Sequence, residues 1–365
     1  MRRREWMLGA GLAPVAAAAA AEKVPEDIEQ QNGRYAGELE QYFRRYLVDE
    51  YPARAAKAWQ RSYTSVGAFL KSVEPNRRRY RAMFAPPDLR PTGPAERKAS
   101  AQVPGAEWVS IPLGGLKAEG LLAVPSNAKG RVPLVIAQHG IGSFPERTFG
   151  VADAGNPYHD YSHALLSEGF AVLAPFNLRG VEPRNRIERL ARLAGTSLPG
   201  IELVRVQALL DEALRDKRID GARIGMWGIS LGGMATMFWM PLEQRIKCGV
   251  VCAWFNHRRN KMVIPDKRYS CFLETKEDHA FFHGWLSEFT DSDTVSLICP
   301  RPLLVQTGKK DGIAWWPQVI EEFEASKEHY RKLGMEGRIE LALHEGNHEI
   351  HLPSGIPFLK KWLAA

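Results

Sequence analysis

The chain has 365 residues, 45% of them hydrophobic and 25% charged. That balance excludes wholesale disorder and leaves apolar material for one large core or two smaller ones. The formal net charge is +7, but the basic residues are spread out, with short clusters only at Arg77 to Arg79 and His257 to Lys261, so a solvated basic face is expected rather than a nucleic-acid partner.

The first 22 residues read as an export signal. Arg2, Arg3 and Arg4 precede Glu5-Trp6-Met7-Leu8 and a weakly apolar Ala/Gly stretch broken by Pro14, a pattern similar to twin-arginine signals. It is too short and too polar to span a bilayer, so no stable membrane insertion is expected, and the predicted destination is periplasmic or extracellular. Residues 23–96 are predicted to form a helical extension and linker. Leu39, Tyr42, Phe43, Tyr46 and Leu47 recur at helical spacing, and Ala85 to Glu96 holds four prolines and a glycine. Residues 97–365 are assigned to one catalytic domain.

Within that domain, Trp108 to Ile111 and Leu121 to Val124, separated by Gly114-Gly115, predict an antiparallel pair. Strand and helix patterns then alternate, with strands at Pro133 to Gln138, Ala171 to Pro175, Ile224 to Trp227, Cys248 to Trp254, Leu303 to Gln306 and Ile339 to Leu343. Helical patterns lie between them, at Tyr161 to Glu168, Val204 to Leu214, after Ser230 and at Val319 to Leu333. Alternation on this scale predicts an α/β fold, a mostly parallel doubly wound sheet with helices on both faces. Cys248 and Cys252 fall in one of the apolar runs as small buried hydrophobes. With Cys271 and Cys299 they make neither a CxxC pair nor a disulfide framework.

The chemistry is concentrated at strand ends. Gly228-Ile229-Ser230-Leu231-Gly232 sits between an apolar strand and a helical run, the strand–turn–helix setting in which a serine becomes a nucleophile. Chance alone would produce GxSxG about 0.1 times in a chain of this composition, so the context must carry the reading. A serine needs a base, and the base needs an orienting group. Asp311 follows one later strand and His348 the last one, giving the chain order Ser, Asp, His expected of this architecture. The Gln138-His139-Gly140-Ile141-Gly142 loop offers the Ile141 N–H to pair with that of Leu231 as an oxyanion hole, with His139 supporting the loop structurally. His344-Glu345-Gly346-Asn347-His348 also matches the zinc-protease HExxH pattern. It contains Gly and Asn and follows a strand-like run, which disfavours the helix that pattern needs. No metal or organic cofactor is predicted.

These residues resemble the α/β-hydrolase superfamily, and within it the dienelactone-hydrolase and acetyl-xylan-esterase-like bacterial branch. The resemblance is carried by QHGIG at 138–142, FNLRG at 176–180, RIDGARIGMWGISLGG at 218–233, LICPRPLLVQTGKKDG at 297–312 and HEGNHEIH near the C-terminus. It spans about 70% of the chain. It implies Ser230 as nucleophile, Asp311 as acid, His348 as base and Ile141 with Leu231 as oxyanion donors. A serine rather than a cysteine at 230 points toward esterases. The expected activity is hydrolysis of a carboxylic ester, an acetyl or other short-acyl ester of a carbohydrate, with a serine peptidase or a silent hydrolase-fold binding protein as alternatives. Trp254, together with His257 and Arg258 in the stretch from Asn256 to Thr290, and Trp315 beyond the predicted acid, are the candidate substrate-binding residues.

Overall fold

The computed structural model describes residues 24–363, so the predicted export signal lies outside the described residues. Contacts divide the chain between Arg45 and Tyr46. The first unit is described by the helix Glu26–Arg44, which buries no residue and exposes Ile28, Tyr35, Leu39, Tyr42 and Phe43.

The second unit is built on nine strands: β1 Glu96–Ala99, β2 Ala106–Leu113, β3 Leu116–Ala123, β4 Val132–Gln138, β5 Ala171–Pro175, β6 Ile219–Ile229, β7 Ile246–Cys252, β8 Leu303–Gly308 and β9 Ile339–His344. They form one sheet in the order β1-β2-β3-β5-β4-β6-β7-β8-β9. The three pairings at the β1 edge are antiparallel and the five from β5 to β9 are parallel. Every residue of β4, β5 and β8 is buried, as central parallel strands covered on both faces require.

Two apolar layers sandwich the sheet. One contains Leu134, Ile136, Met226 and Val305 with the helices Leu198–Ala213, Leu231–Trp239 and Trp316–Arg331. The other contains Val135, Ala137, Trp227 and Val250 with the helices Tyr161–Ser167 and Leu352–Leu363. The helices Tyr51–Ala58 and Val66–Phe84 join the first layer. Trp59, Phe69, Val73, Tyr80 and Phe84 are buried there, and Phe84 meets Phe238 and Phe282 with ring centroids 5.1 and 5.3 Å apart. The break in contacts therefore falls ahead of these helices, not at the proline-rich linker, because their aromatic face is part of the sheet's own core.

Polar bonds tie the same helices to the segment between β7 and β8. Tyr51 donates to the Asp293 carboxylate, and Asn76 and Arg79 donate to Glu288 at 2.5 and 2.7 Å. The four cysteines are free and buried.

Candidate active site

Ser230 occupies the turn from β6 into the helix Leu231–Trp239 with φ 58° and ψ −118°, a region that costs a non-glycine residue on the order of 1–3 kcal/mol and is kept where the surroundings over-determine it. Here the glycines do so. A Cβ on Gly228 would stand 2.1 Å from the Gly232 carbonyl oxygen, and one on Gly232 would stand 2.1 Å from that of Gln138. The tight turn thus requires glycine on both sides of Ser230. The Ser230 N–H donates to the Cys252 carbonyl at 2.9 Å, and its own carbonyl accepts from Met234 at 2.8 Å, which pins the elbow to the end of β7 and to its helix.

Asp311 follows β8 and His348 follows β9. His348 Nδ1 lies 2.7 Å from Asp311 Oδ2, and the carboxylate side chain is fully buried. The other oxygen, Oδ1, accepts the Ile313 N–H at 3.0 Å, so both oxygens are held. An ionised carboxylate only accepts, so Nδ1 carries the proton and Nε2 is left as the basic nitrogen. The His348 loop is tied toward the elbow through Cys252, whose Sγ donates to the Glu349 carbonyl at 3.1 Å while its backbone carbonyl holds Ser230.

The loop after β4 is ordered by two buried side chains. The Asn177 N–H can only donate, so His139 Nε2 accepts it at 3.2 Å and Nδ1–H donates to the Gly140 carbonyl at 2.8 Å. Burial pushes the His139 imidazole down to about 4, which keeps it neutral in this arrangement. The Gly140 N–H donates to the Tyr158 hydroxyl at 2.9 Å, and Arg179 donates to the Gly142 carbonyl at 2.8 Å. Among the described residues, the N–H groups of Ile141 and Leu231 have no protein acceptor.

Both of these residues and Ser230 line a cavity of about 110 Å³. Its remaining wall includes Trp254, Asn256, Arg258, Lys261, Glu277 and His279. Burial lowers the Lys261 ammonium to about 8, raises the Glu277 carboxyl and lowers His279 to about 3.

No protein-family model matches the chain. Two curated relatives from Bacillus subtilis (strain 168) align with it. "Putative hydrolase YtaP" is 27% identical over 209 residues, 54% of this chain and 67% of the relative. "Putative esterase YitV" is 24% identical over 216 residues, 54% of this chain and 76% of the relative. Among solved structures, "a putative acetyl xylan esterase" from Bacteroides fragilis superposes with a TM-score of 0.63 at 18% identity, covering 79% of this chain and 80% of its own. A glucuronoyl esterase from Solibacter usitatus reaches 0.58 at 14% identity, covering 83% and 95%. This chain has the α/β-hydrolase fold.

Of the residues expected to bind substrate, Trp254 and Arg258 line the Ser230 cavity. His257 does not: with Arg259 it faces a separate polar cavity bordered by Tyr51, Asp293 and Glu322. Trp315 lies outside both linings, its ring 5.7 Å from Tyr269 and 4.8 Å from the Arg268 guanidinium. Arg258 is no free cation either, because its Nε and Nη2 bond both oxygens of Asp291 at 2.9 and 2.8 Å with both side chains fully buried. His344 ends β9 and stacks on His351 with ring centroids 4.5 Å apart, so His344 and His348 do not share a helix face. Tyr158 and Cys252 were missed, and no local pattern marks either one. Asn256 was named only as the start of the stretch that runs to Thr290.

Proposed function

We propose that the chain is a serine carboxylic-ester hydrolase, with Ser230 as nucleophile, His348 as base and Asp311 as its orienting acid. The observation that carries this reading is the strained Ser230 elbow, held between two obligatory glycines in the lining of a cavity. His348 Nε2 takes the Ser230 proton as Oγ attacks the ester carbonyl. The Ile141 and Leu231 N–H groups receive the charge that develops on the carbonyl oxygen, a contribution of about 3 kcal/mol per donor in comparable sites. His348 then protonates the departing alcohol, and water repeats the sequence on the acyl-enzyme.

The substrate we propose is an acetyl or other short-acyl ester of a carbohydrate, met outside the cytoplasm. Its supports are the export-like leader, the small cavity and the names of the relatives and of the solved structures. Among the described residues no helix is long and apolar enough to cross a membrane.

A fluorophosphonate probe and an ester panel running from acetylated xylan to aryl acetates test the reading. Wild type should be labelled and should hydrolyse at least the aryl acetates, while Ser230→Ala should lose both. Labelling of Ser230→Ala at the wild-type rate would sink it.

A further inference from the structure

The wall of the Ser230 cavity contains polar atoms that the fold leaves unpartnered. Arg258 spends Nε and Nη2 on Asp291, yet its Nη1 is buried without a protein partner. The same holds for Trp254 Nε1 and Asn256 Oδ1. All three residues lie on the segment that leaves β7, all three line the one cavity, and Asn256 and Arg258 are 2% and 0% exposed. The intervening His257 faces elsewhere, so the alternation along Trp254 to Arg258 puts the three residues that carry these atoms in the wall of the Ser230 cavity. Buried polar groups are rarely left without partners in folded chains, and a cluster of three on one wall points to a ligand that completes them.

We propose that this wall is a subsite for a pair of neighbouring hydroxyl groups on the alcohol part of the ester, the arrangement a pyranose ring presents beside an acylated oxygen. The inference rests on the esterase reading above and deepens it. A hydroxyl both donates and accepts, and the wall offers both kinds of partner: the indole N–H of Trp254 and the Nη1 hydrogens of Arg258 donate, while Asn256 Oδ1 accepts. His279 adds a second acceptor, because its Nδ1 lies 2.9 Å from Asn185 Oδ1, an oxygen that can only accept, which leaves Nε2 a lone pair. A carboxylate fits this wall less well. It would accept from Trp254 and Arg258 but confront Asn256 Oδ1, His279 Nε2 and the Glu277 carboxyl. The Arg258 charge is already matched by Asp291, and Lys261 Nζ is engaged by Ser270 Oγ and the Ile313 carbonyl, both at 2.6 Å.

The test compares three acetates on the full-length enzyme: 4-nitrophenyl acetate, a methyl xyloside monoacetate with its neighbouring hydroxyls free, and the same sugar with those hydroxyls methylated. Wild type should prefer the free sugar over the methylated one by about tenfold or more in kcat/KM. Trp254→Phe, which keeps the ring and removes the N–H, and Asn256→Leu should each cut that preference about tenfold relative to 4-nitrophenyl acetate. The proposal is overturned if wild type does not distinguish the two sugars, if both variants retain the wild-type ratio, or if an acetate bearing a carboxylate in place of the diol is the better substrate. Cleavage of 4-nitrophenyl acetate with no cleavage of either sugar removes the subsite and leaves the ester chemistry standing. If no ester is cleaved the esterase reading fails, and calorimetric binding of methyl xyloside decides the subsite alone: binding weakened about tenfold by Trp254→Phe supports it, and absent or unchanged binding overturns it.

Discussion

Between pH 7 and 5, three histidines buried in their neutral form and the buried Glu322 should together shift the stability of the fold by about 4 kcal/mol against it. Burial is the largest cause at each, and it holds His139 at about 4 and His279 and His329 at about 3, against about 6.5 in the unfolded chain. The unfolded state therefore binds more protons throughout the window from about 6.5 down to each folded value, so stability falls as the pH falls through it. Integrated between pH 7 and 5, each histidine removes about 2 kcal/mol, roughly 6 kcal/mol for the three. Glu322 acts in the opposite sense. Burial raises it to about 7, so it takes up its proton more readily when folded and returns about 2 kcal/mol over the same interval. Urea unfolding at pH 7, 6 and 5, followed by tryptophan fluorescence, measures the net loss. His329→Gln should reduce that loss by about 2 kcal/mol, since its share is no longer pH-dependent. An unchanged pH slope in His329→Gln would refute the assignment of that side chain as a buried neutral group.

Gly232→Ala places a methyl 2.1 Å from the Gln138 carbonyl oxygen, a backbone clash expected to cost about 3 kcal/mol or more; a lowered thermal midpoint with lost probe labelling checks it. Tyr158→Phe leaves the buried Gly140 N–H without its acceptor, so stability should fall by about 1–3 kcal/mol. Because that N–H adjoins the Ile141 donor, kcat should drop more than KM rises on any ester that wild type cleaves. Asp311→Asn should keep the fold but lower kcat by about 10⁴, since an amide can hold the imidazole in the wrong tautomer; steady-state kinetics beside circular dichroism separate the two effects.

The parts of this molecule legible in the sequence are those governed by local period. The β4, β5 and β8 runs are apolar throughout because both faces of those strands are covered, and a chain that alternates such runs with helical ones has few sheet topologies open to it. The three residues proposed to react were placed for the same reason, since Ser230, Asp311 and His348 each follow a strand end. Where packing inverts the usual pattern, the sequence was silent. The helix Val181–Leu193 was not anticipated, and its burial explains why: it buries Arg184, Asn185, Glu188 and Ala191 while exposing Leu190 and Leu193, so its apolar positions mark the wrong face. Arg184 can be buried because Glu202 of the next helix meets it at 2.6 and 3.1 Å.

The same physics decides the cavity wall. Arg258 looked like a cation free to meet a substrate, but its partner Asp291 lies 33 residues away in sequence. Nothing near Arg258 announces that its charge is spent. The direction of each side chain from Trp254 to Arg259 was equally hidden, because the chain leaves β7 through Ala253 at φ 52°, and a left-handed residue at that point breaks the strand's alternation. Composition alone could name the residues of this segment, as it named Trp254, His257 and Arg258, but not sort them between two cavities. For Arg258 the Asp291 pair holds the side chain in the lining of the Ser230 cavity and leaves its Nη1 without a protein partner. In the proposed subsite, the Arg258–Asp291 pair would therefore act by positioning hydrogen-bond donors rather than by presenting a net charge, since its two charges offset each other.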